Sequence, residues 1–499
     1  MGSLLSRVRL IYQTLKAISD SFSALSTRIS RDPGLPLPNP LRSYWCVPPS
    51  PLDSATSKEE LPLPAYADVV IIGSGISGTA IARTLLKNAS APLRVVMLEA
   101  RDVCSGATGR NGGHVSPNTY QDYAWLEGSY GPSAAQAILR FRLAHLPALV
   151  AVAEEEGLLR ESQARTVTQF DVYLQDTLFR RAKDALAGYL RALPEYQGRH
   201  TTLEDKAALQ LFTHTPCTAI SAAGDAYVLT TPKGTIATAH VIHATNAWVS
   251  HLLPGMRRTI VPLRSHMSAQ RPGRALQASW AGARSFVFYA GTGMVAFDYL
   301  TQQAPAPVDQ GSKTDRTETE AEAGALMFGG GAMLGGRAEA TGMDNIGITD
   351  DTQDDFAVTA FLGGALERYF AGGWGAEGGA STEEDGWGAG RMKAAWTGII
   401  GLSADGQPWV GRVEPRAKLE NGVDTPGLAP PGEWIAAGFT GEGMTHAWLA
   451  GVALAQMVLG AKHAELSDTV EQLPPQFLIT EKRWRAADVE AFLGDVTDA

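Results

Sequence analysis

The sequence predicts an α/β protein built on a doubly wound parallel sheet, and two observations carry this prediction. The apolar run Val69–Ile72 is typical of a strand that is buried on both faces of such a sheet. A glycine-rich turn follows, then apolar residues at helical spacing from Ile76 to Asn88, then a second apolar strand, Leu93–Leu98. This succession of strand, helix and strand is the βαβ unit from which parallel sheets are built.

Composition limits the functional classes. A chain of 499 residues, with 44% hydrophobic and 19% charged residues, predicts two or three folded domains. Its formal charge of −10 provides no basic footprint for nucleic acid. Its three cysteines are too few and scattered for a disulfide framework or a thiolate metal site. The apolar stretch Ala447–Gly460 is shorter than the roughly 18 residues of a membrane span and predicts a core helix. We expect a soluble, metal-free cytoplasmic enzyme.

The first 65 residues differ from the rest. Apolar residues recur there at alternating spacings of four and three, which predicts one narrow apolar seam on a helix: Leu4, Val8, Ile11, Leu15, Ile18, Phe22 and Leu25. The segment Arg31–Gly34 ends this helix, and a Pro-rich stretch continues to Pro64. The helix could be a membrane-surface anchor, a partner helix, a mitochondrial targeting sequence or a strap packed on the body. Gly2 and Ser6 fit the short N-myristoylation pattern, so peripheral membrane or mitochondrial localisation stays open.

The turn after the first strand has the spacing of a dinucleotide-binding fingerprint: Gly73-Ser74-Gly75-Ile76-Ser77-Gly78. In such a turn the first glycine permits the tight bend, the second lets backbone amides approach a pyrophosphate, and the third lets the helix pack on the strand. The helix N-terminus then stabilises the phosphate charge. Glu99 ends the second strand, where a carboxylate accepts hydrogen bonds from ribose and repels a 2′-phosphate, which argues against NADP.

Two further segments favour FAD over NAD. The stretch Cys104–His114 combines small residues with the donors Arg110 and Asn111, which suits a pyrophosphate and the edge of a flat ring. The distant segment Gly438–Met444 precedes an apolar helix, whose N-terminal amides could face the flavin pyrimidine. A cofactor that touches both ends of the chain is long, so FAD fits better than a nicotinamide.

Several segments in this order carry a resemblance: the fingerprint, Ala107–His114, Ala244–Ala247, Trp396–Gly401 with Asp405–Pro408, and Gly438–Met444. Over about Ala67–Ala461 the chain resembles the D-amino-acid-oxidase-like family of FAD-dependent oxidoreductases. The resemblance implies a Rossmann-like FAD-binding domain and a second, α+β mixed-sheet substrate domain. It also implies oxidation of a C–N bond in an amine or amino acid by hydride transfer to flavin, usually with O2 as acceptor and H2O2 as product.

On this basis we expect residues 1–65 to form the extension, 66–160, 206–258 and 396–465 the FAD-binding domain, 161–205 and 259–395 the substrate domain, and 466–499 a C-terminal tail. The expected cofactor-binding residues lie in the segments above and on the strands that flank them: Gly73, Ser74, Gly75, Ile76, Ser77, Gly78, Glu99, Ala100, Arg101, Ser105, Gly106, Ala107, Thr108, Arg110, Asn111, Gly112, Gly113, Cys217, Ala244, Thr245, Asn246, Gly438, Thr440, Gly441, Gly443 and Met444.

For the substrate, a bidentate arginine is the best partner of an α-carboxylate, and Arg264 and Arg391 are the candidates. Tyr299 could lie over the flavin as an aromatic wall. Relatives that attach flavin covalently use a late cysteine or a histidine. Trp396–Gly411 contains no cysteine, and the best match to the histidine position is Arg110. We therefore expect noncovalent FAD, with attachment through the nearby His114 as the alternative.

Two other functions stay open: a flavin-binding assembly factor without turnover, and an FAD monooxygenase. The sequence also predicts an exposed loop over Gln303–Ala323 and a glycine-rich insertion over Ala371–Gly390, which could be a floppy surface segment or a substrate lid. The identity of the amine substrate and the electron acceptor is not readable from these patterns.

Overall fold

The computed structural model describes residues 2–52, 62–196, 210–212, 214–223, 226–273, 276, 282–289, 297–303, 324–331, 345–370, 374–375, 390–413, 427–460 and 473–489. The predicted loop Gln303–Ala323 and insertion Ala371–Gly390 fall almost entirely outside these residues. The described residues form two β-sheets, with helices packed against both.

The strands are β1 (Tyr66–Ile72), β2 (Val95–Leu98), β3 (Thr168–Tyr173), β4 (Gln210–Phe212), β5 (Ala219–Ala223), β6 (Ala226–Thr231), β7 (Gly234–His243), β8 (Ile260–Gln270), β9 (Arg284–Tyr289), β10 (Asp298–Gln302), β11 (Leu326–Gly329), β12 (Met392–Ser403), β13 (Trp409–Arg412) and β14 (Gly432–Ala437). The α-helices are α1 (Gly2–Ile29), α2 (Ile76–Asn88), α3 (Tyr120–Tyr130), α4 (Pro132–Leu143), α5 (His145–Glu155), α6 (Leu159–Ser162), α7 (Asp176–Ala192), α8 (Val249–Leu252), α9 (Phe356–Phe370), α10 (Ala447–Val458) and α11 (Glu481–Ala486).

The first sheet has the predicted doubly wound core. Its strands run in the order β13-β14-β7-β1-β2-β4, and the neighbours from β14 to β4 are parallel. Successive residues of β1 point to opposite faces. Val69 and Ile71 pack with α2, α4 and α10 on one face, whereas Val70 and Ile72 pack with the β5–β6 hairpin on the other. Burial on both faces explains why β1 is apolar throughout.

The second sheet has the order β12-β8-β11-β10-β9-β3 and is antiparallel except for its last pair, β9 and β3. Its far face packs against α9 through residues such as Leu300 and Phe328. Its near face carries Met267, Trp396 and Tyr299 and turns toward the first sheet. The boundary predicted at 395/396 falls inside β12, all of whose length pairs with β8 in this second sheet.

Helices α4 and α5 form a stretch, Pro132–Glu155, that passes the length and composition test for a membrane span, with a mean hydropathy of 1.3. The stretch contains the charged residues Arg140 and Arg142 and is therefore not an uninterrupted apolar run. In the fold, Ile138, Leu139 and Phe141 are fully buried against the first sheet's helices. Arg142 beside them forms ion pairs in the interior. These contacts are those of a core helix.

Helix α1 and the extension behind it are packed unevenly. Leu25 and Ile29, at the end of the seam, are buried beside Val261 and Leu402. Ile11, Tyr12, Leu15 and Phe22 stay 49–65% exposed. The strap interpretation therefore holds for the last turns of the helix. Membrane contact by the exposed part stays a prediction.

Candidate active site

The turn between β1 and α2 encloses one end of a cavity that runs between the two sheets. Gly73 has a φ of +107°, and a Cβ on it would lie 2.6 Å from the backbone oxygen of Ala244. A Cβ on Gly78 would overlap the backbone oxygen of Gly73. The turn therefore requires glycine at both positions, the first for its backbone conformation and the second for the close approach of the helix.

The N-terminus of α2 offers hydrogen-bond donors to this cavity. The Ile76 amide donates to the Thr108 hydroxyl, with N and Oγ1 2.9 Å apart. A Cβ on Gly75 would lie 2.9 Å from the same oxygen. The amides of a first helical turn have no acceptor within the helix, and the helix dipole favours negative charge there. The Ile76 amide is occupied by the Thr108 hydroxyl in this structure, and the contact of this turn with a pyrophosphate stays a prediction.

Glu99 lies at the end of β2, on the wall of the same cavity. Its Oε2 accepts hydrogen bonds from the backbone amide and the hydroxyl of Ser74, at 2.9 and 2.6 Å, and its Oε1 accepts from the Arg101 amide at 3.1 Å. Ser74 is buried and also accepts from the Cys104 amide. Ser74 therefore holds Glu99 in place from behind, and the predicted ribose contact would use the acceptor positions that these donors leave free.

The structure brings most of the predicted cofactor residues together. The cavity is lined by Gly73, Gly75, Ile76, Ser77, Glu99, Ala100, Arg101, Gly106, Ala107, Thr108, Arg110, Asn111, Cys217, Ala244, Thr245, Asn246, Gly441, Gly443 and Met444, together with Tyr299. Seven others do not line the cavity: Ser74, Gly78, Ser105, Gly112, Gly113, Gly438 and Thr440.

Arg110 and Asn111 have partners other than those predicted. The Arg110 guanidinium donates to the backbone oxygens of Ser105 and Thr397, at 2.7 and 2.6 Å. The Asn111 amide donates to its own turn, to Ala107 O and Thr108 O. Both side chains therefore stabilise the conformation of the loop. The structure gives no support to the prediction that they donate to a pyrophosphate or to a ring edge.

A buried ion cluster closes this side of the cavity. The Asp351 carboxylate is inaccessible to solvent and accepts from Arg101 Nη1 at 2.9 Å, and Arg110 Nε lies 3.7 Å from it. Arg101 also donates to the backbone oxygen of Leu37 in the N-terminal extension. Asp351 thus joins the cofactor loop, the extension and the second sheet. No motif predicted its role, because it lies in the least patterned part of the chain.

The extension reaches the cavity itself. Gly34, Leu35 and Pro36 line it next to Leu98 and Cys217, and Ser43 and Trp45 donate to the backbone oxygens of Gly109 and Asn111. Other lining residues that the sequence analysis missed are Ile72, Leu98, Pro216, Trp248, His251, Leu252, Ser265, Met267, Gly398, Ile399, Ile400, Phe439 and Ala447. The only available signal for the extension was the helix stop at Arg31–Gly34, after which the chain must turn back.

At the other end of the cavity, β10 and β8 present Tyr299 and Met267. The Tyr299 hydroxyl lies 3.2 Å from Met267 Sδ, and a Cβ on Gly112 would lie 3.1 Å from both side chains. Burial, with Asp298 nearby, raises the pKa of Tyr299 to about 12. The end wall is therefore aromatic and thioether in character, and its phenol is neutral.

His114 stands behind this wall and does not line the cavity. Its ring meets Tyr299 edge to face, and its Nδ1 lies 2.6 Å from the Thr301 hydroxyl. Burial lowers the pKa of His114 to about 4, so the imidazole is neutral at pH 7. These contacts fit a residue that supports the wall and give no support to a covalent attachment through His114.

The loop after β14 forms the third side of this end. Gly441, Gly443 and Met444 line the cavity just before α10. Glu442 points the other way, to Arg142 Nη2 at 3.2 Å and to the Asn118 amide at 3.3 Å. Burial raises the pKa of Glu442, while Arg142 opposes this rise. The ion pair between buried Arg142 and half-buried Glu442 fixes the loop, so that its cavity-facing backbone is held in position.

Arg264 and Arg391 are directed away from the cavity. Arg264 donates to Asn345 Oδ1 at 2.8 Å, and Arg391 pairs with Glu367 of α9 at 2.9 Å. On β8 the side chains alternate, and Ser265 and Met267 are the ones that line the cavity. The predicted arginine contact with a substrate carboxylate is therefore not supported for either residue, because each lies on the face covered by α9 and its flanking loop.

Two observations test whether FAD fits. Thr245 and Trp248 line the cavity, and their Oγ1 and Nε1 atoms are buried with no hydrogen-bond partner in the described structure. Buried polar groups are nearly always satisfied, so these two atoms call for a ligand. The glycine turn provides the close backbone approach that a pyrophosphate needs. Within the described ranges, no three His, Cys, Asp or Glu residues are grouped as a metal would require. The residues fit FAD.

Comparisons with known proteins agree with this geometry. The family model described as FAD dependent oxidoreductase (DAO) matches residues 68–457. Glycine oxidase from Geobacillus kaustophilus superposes with a TM-score of 0.50 at 14% identity, covering 84% of this chain and 99% of that one. L-amino acid deaminase from Proteus myxofaciens gives 0.50 at 14%, covering 84% and 94%. At these identities the structures show the shared fold alone. No curated protein sequence matches the chain.

Proposed function

Because the chain belongs to the DAO family of FAD-dependent oxidoreductases, we propose that it oxidises the C–N bond of a small amine or amino acid. The observation that supports the proposal is that β8, β10 and the loop before α10 meet at one end of the cavity. Tyr299 and Met267 come from the second sheet, and the backbone of Gly443 and Met444 comes from the loop before α10. A substrate between the sheet and the cofactor would be held against this wall.

Bound FAD supplies the two-electron acceptor for such an oxidation. The chain's own residues orient the substrate and exclude water. Gly112 and Gly329 leave Tyr299 and Met267 in direct contact, since a Cβ at either glycine would press on both side chains. A well-packed wall of this kind fixes the position of a C–H bond, and positioning is a large part of enzymatic rate enhancement.

The wall offers no charged acid or base at neutral pH. The pKa of Tyr299 is raised to about 12 and that of His114 is lowered to about 4. A substrate amine must therefore lose its proton before it reaches the wall. We expect kcat/KM to rise with pH up to the amine's own pKa, and stopped-flow flavin reduction at several pH values measures this.

The test is an anaerobic titration of the purified yellow protein with primary amines, N-methyl amino acids, and D- and L-amino acids. Bleaching of flavin absorbance by one of these classes, followed by peroxide formation when air is admitted, supports an oxidase. Bleaching without peroxide supports a dehydrogenase that uses another acceptor. A flavoprotein that no amine bleaches contradicts the proposal. It would favour the assembly factor, or the monooxygenase if only a nicotinamide reduces it.

A further inference from the structure

A short segment of the N-terminal extension, Asp32–Leu37, borders the cavity and is called the crossing segment below. Its residues Gly34, Leu35 and Pro36 line the cavity. The match to the family model begins at residue 68, so the crossing segment lies outside the matched domain. The chain therefore adds to its cofactor cavity a wall that comes from its own N-terminal extension.

The crossing segment is attached to the body at both ends. At its start, the Asp32 carboxylate lies 2.9 Å from His251 Nδ1 and 2.5 Å from Arg257 Nη2. At its end, the Leu37 backbone oxygen accepts from Arg101 Nη1 at 3.2 Å. His251 and Arg101 themselves line the cavity. The segment therefore runs from one wall of the cavity to another.

The crossing segment borders the end of the cavity at Glu99. Arg101, whose side chain binds the segment, also donates its backbone amide to Glu99 Oε1 at 3.1 Å. The Glu99 backbone oxygen accepts from the Thr215 amide at 2.7 Å, and Cys217, two residues further on, lines the cavity. The aromatic wall with Tyr299 lies at the opposite end. The segment and the wall therefore belong to different parts of the cavity.

The Glu99 end has the chemistry of a pocket for adenosine. Leu98, Cys217 and Leu252 belong to one apolar cluster and line the cavity. Leu35 adds an apolar side chain from the crossing segment, and Glu99 supplies a carboxylate. A flat base with few polar atoms and a ribose with two hydroxyls need apolar walls and a small number of well-placed acceptors. This end therefore suits the adenosine half of FAD.

Two leucines of the crossing segment are equally exposed but differ in position. Leu35 is 36% exposed and Leu37 is 37% exposed. Leu35 lines the cavity, and Leu37 does not. A ligand beside Leu35 removes apolar surface from water, which is favourable in proportion to the area buried. The same ligand gains nothing from the Leu37 side chain, so the two positions provide a matched comparison.

We propose that the crossing segment is part of the FAD site, where Leu35 and Pro36 pack on the adenosine half of the cofactor and slow its release. Differences in affinity between related complexes come mostly from the rate of dissociation, so a wall that must move aside before release has a large effect on retention. The proposal goes beyond the proposed function. It requires that the chain bind FAD, and it holds whether or not an amine reduces the flavin.

The experiment measures the release of FAD from the holoprotein after dilution, by flavin fluorescence and by the flavin content that remains after gel filtration. We expect Leu35→Ala to raise the rate of release about five- to ten-fold, because the substitution removes apolar area from the contact. Leu37→Ala is the matched control and should release FAD at the rate of the unsubstituted protein. Leu35→Met retains the apolar volume and should stay within about two-fold of that rate.

Equal release rates in Leu35→Ala and Leu37→Ala would overturn the proposal, because the position that faces the cavity would then have no special role. Flavin that stays with the protein after denaturation in acid would also overturn it, since a covalent bond would then retain the cofactor. Leu35 is partly exposed, so its truncation leaves no cavity in the core. Leu35→Ala should therefore keep the far-UV circular dichroism of the unsubstituted protein.

Competition experiments on the FAD-depleted full chain identify the half of the cofactor that the segment contacts. ADP carries the adenosine half of FAD, and FMN carries the flavin half. Leu35→Ala should weaken the binding of ADP by about the same factor as that of FAD, and it should change the binding of FMN less than about two-fold. Weaker FMN binding with unchanged ADP binding would place the segment against the flavin half and contradict the assignment to adenosine.

Asp32→Asn provides a second variant, which weakens the attachment of the segment and leaves Leu35 in place. Release of FAD should become about two- to three-fold faster, a smaller effect than that of Leu35→Ala, because ion pairs near the surface contribute little. Asp20→Asn, which removes an exposed ion pair with Lys16 on α1, is the matched control and should not change the rate. An unchanged rate in Asp32→Asn would contradict the idea that attachment of the segment slows release.

Discussion

The β1–α2 turn and strand β8 border the same cavity, yet they constrain their sequences in different ways. The turn places backbone against backbone, so that Gly73 and Gly78 tolerate no Cβ. Strand β8 places Ser265 and Met267 on the cavity by alternation alone, and many side chains fit such positions. At the cofactor turn, steric exclusion of a Cβ therefore fixes the residue type. On the substrate side, alternation along the strand decides only which side chains face the cavity, and not their type.

The strongest test of this contrast is Gly78→Ala. Its Cβ would overlap the backbone oxygen of Gly73, which no rotamer change relieves. We expect loss of bound flavin and a destabilisation of more than about 3 kcal/mol, at or beyond the upper end for overpacking. Flavin content per protein and urea unfolding measure both effects.

Gly128→Ala is the control for Gly78→Ala, because Gly128 lies in α3 away from the cavity and a Cβ there meets no atom within 4 Å. It should keep its flavin and change stability by less than about 1 kcal/mol. Full flavin content in Gly78→Ala would show that the turn can adjust, and the contrast with β8 would fail.

The next largest effect is expected at Asp351, which joins the two regions. Asp351→Asn leaves Arg101 and Arg110 with no carboxylate partner in the interior. Removing one partner of a buried ion pair costs about 3–5 kcal/mol. Chemical denaturation should show this loss, and FAD affinity should fall with it because both arginines line the cavity. The exposed Asp354→Asn is the matched control, and an equal loss there would rule out a special role for the cluster.

The sequence predicts the β1–α2 turn and its surroundings in detail, because the constraints on this region are local. Helix α2 begins at Ile76 and ends at Asn88 as predicted, and the βαβ pattern around it needs no knowledge of distant contacts. The cavity residues of this region follow from the spacing of glycines. The contribution of Gly34–Pro36 could not be predicted, since nothing in a Pro-rich extension indicates where it lies once the chain has folded.

The second region depends on contacts between positions far apart in sequence. Asp171 and Tyr299 share a face only because β3, β9 and β10 are adjacent in this register. Asp351 meets Arg101 across 250 residues. Periodicity identifies strands, but it does not tell which face of a strand meets the cofactor. The predictions for Arg264 and Arg391 gain no support at this step, because neither side chain lines the cavity.

Acid should lower the free energy of unfolding through a buried histidine in each of the two sheets. Burial lowers the pKa of His240 in the first sheet and of His266 in the second to about 4. Between pH 6.5 and 4 the unfolded chain then binds more protons than the native one, so stability is complete above pH 6.5 and falls as pH falls toward 4. The slope is at most about 1.4 kcal/mol per pH unit for each histidine.

Urea unfolding at pH 7, 6, 5 and 4 measures this acid sensitivity. His240→Gln and His266→Gln should each have a shallower slope than the unsubstituted protein, and by similar amounts. A slope that only one of the two substitutions reduces would show that acid acts on one sheet, and the two regions would then differ in this respect as well.

The smallest effect is expected at the arginines on the far face, and it tests strand phase directly. Arg264→Gln and Arg391→Gln each leave the cavity wall untouched, because their guanidinium groups bind Asn345 and Glu367. KM for the best amine should therefore change less than two-fold.

Met267→Ala, on the cavity face of the same strand as Arg264, should lower kcat/KM about ten-fold by loosening the wall around Tyr299. A large KM effect of Arg264→Gln, specific to substrates with a carboxylate, would mean that β8 presents its other face to the substrate.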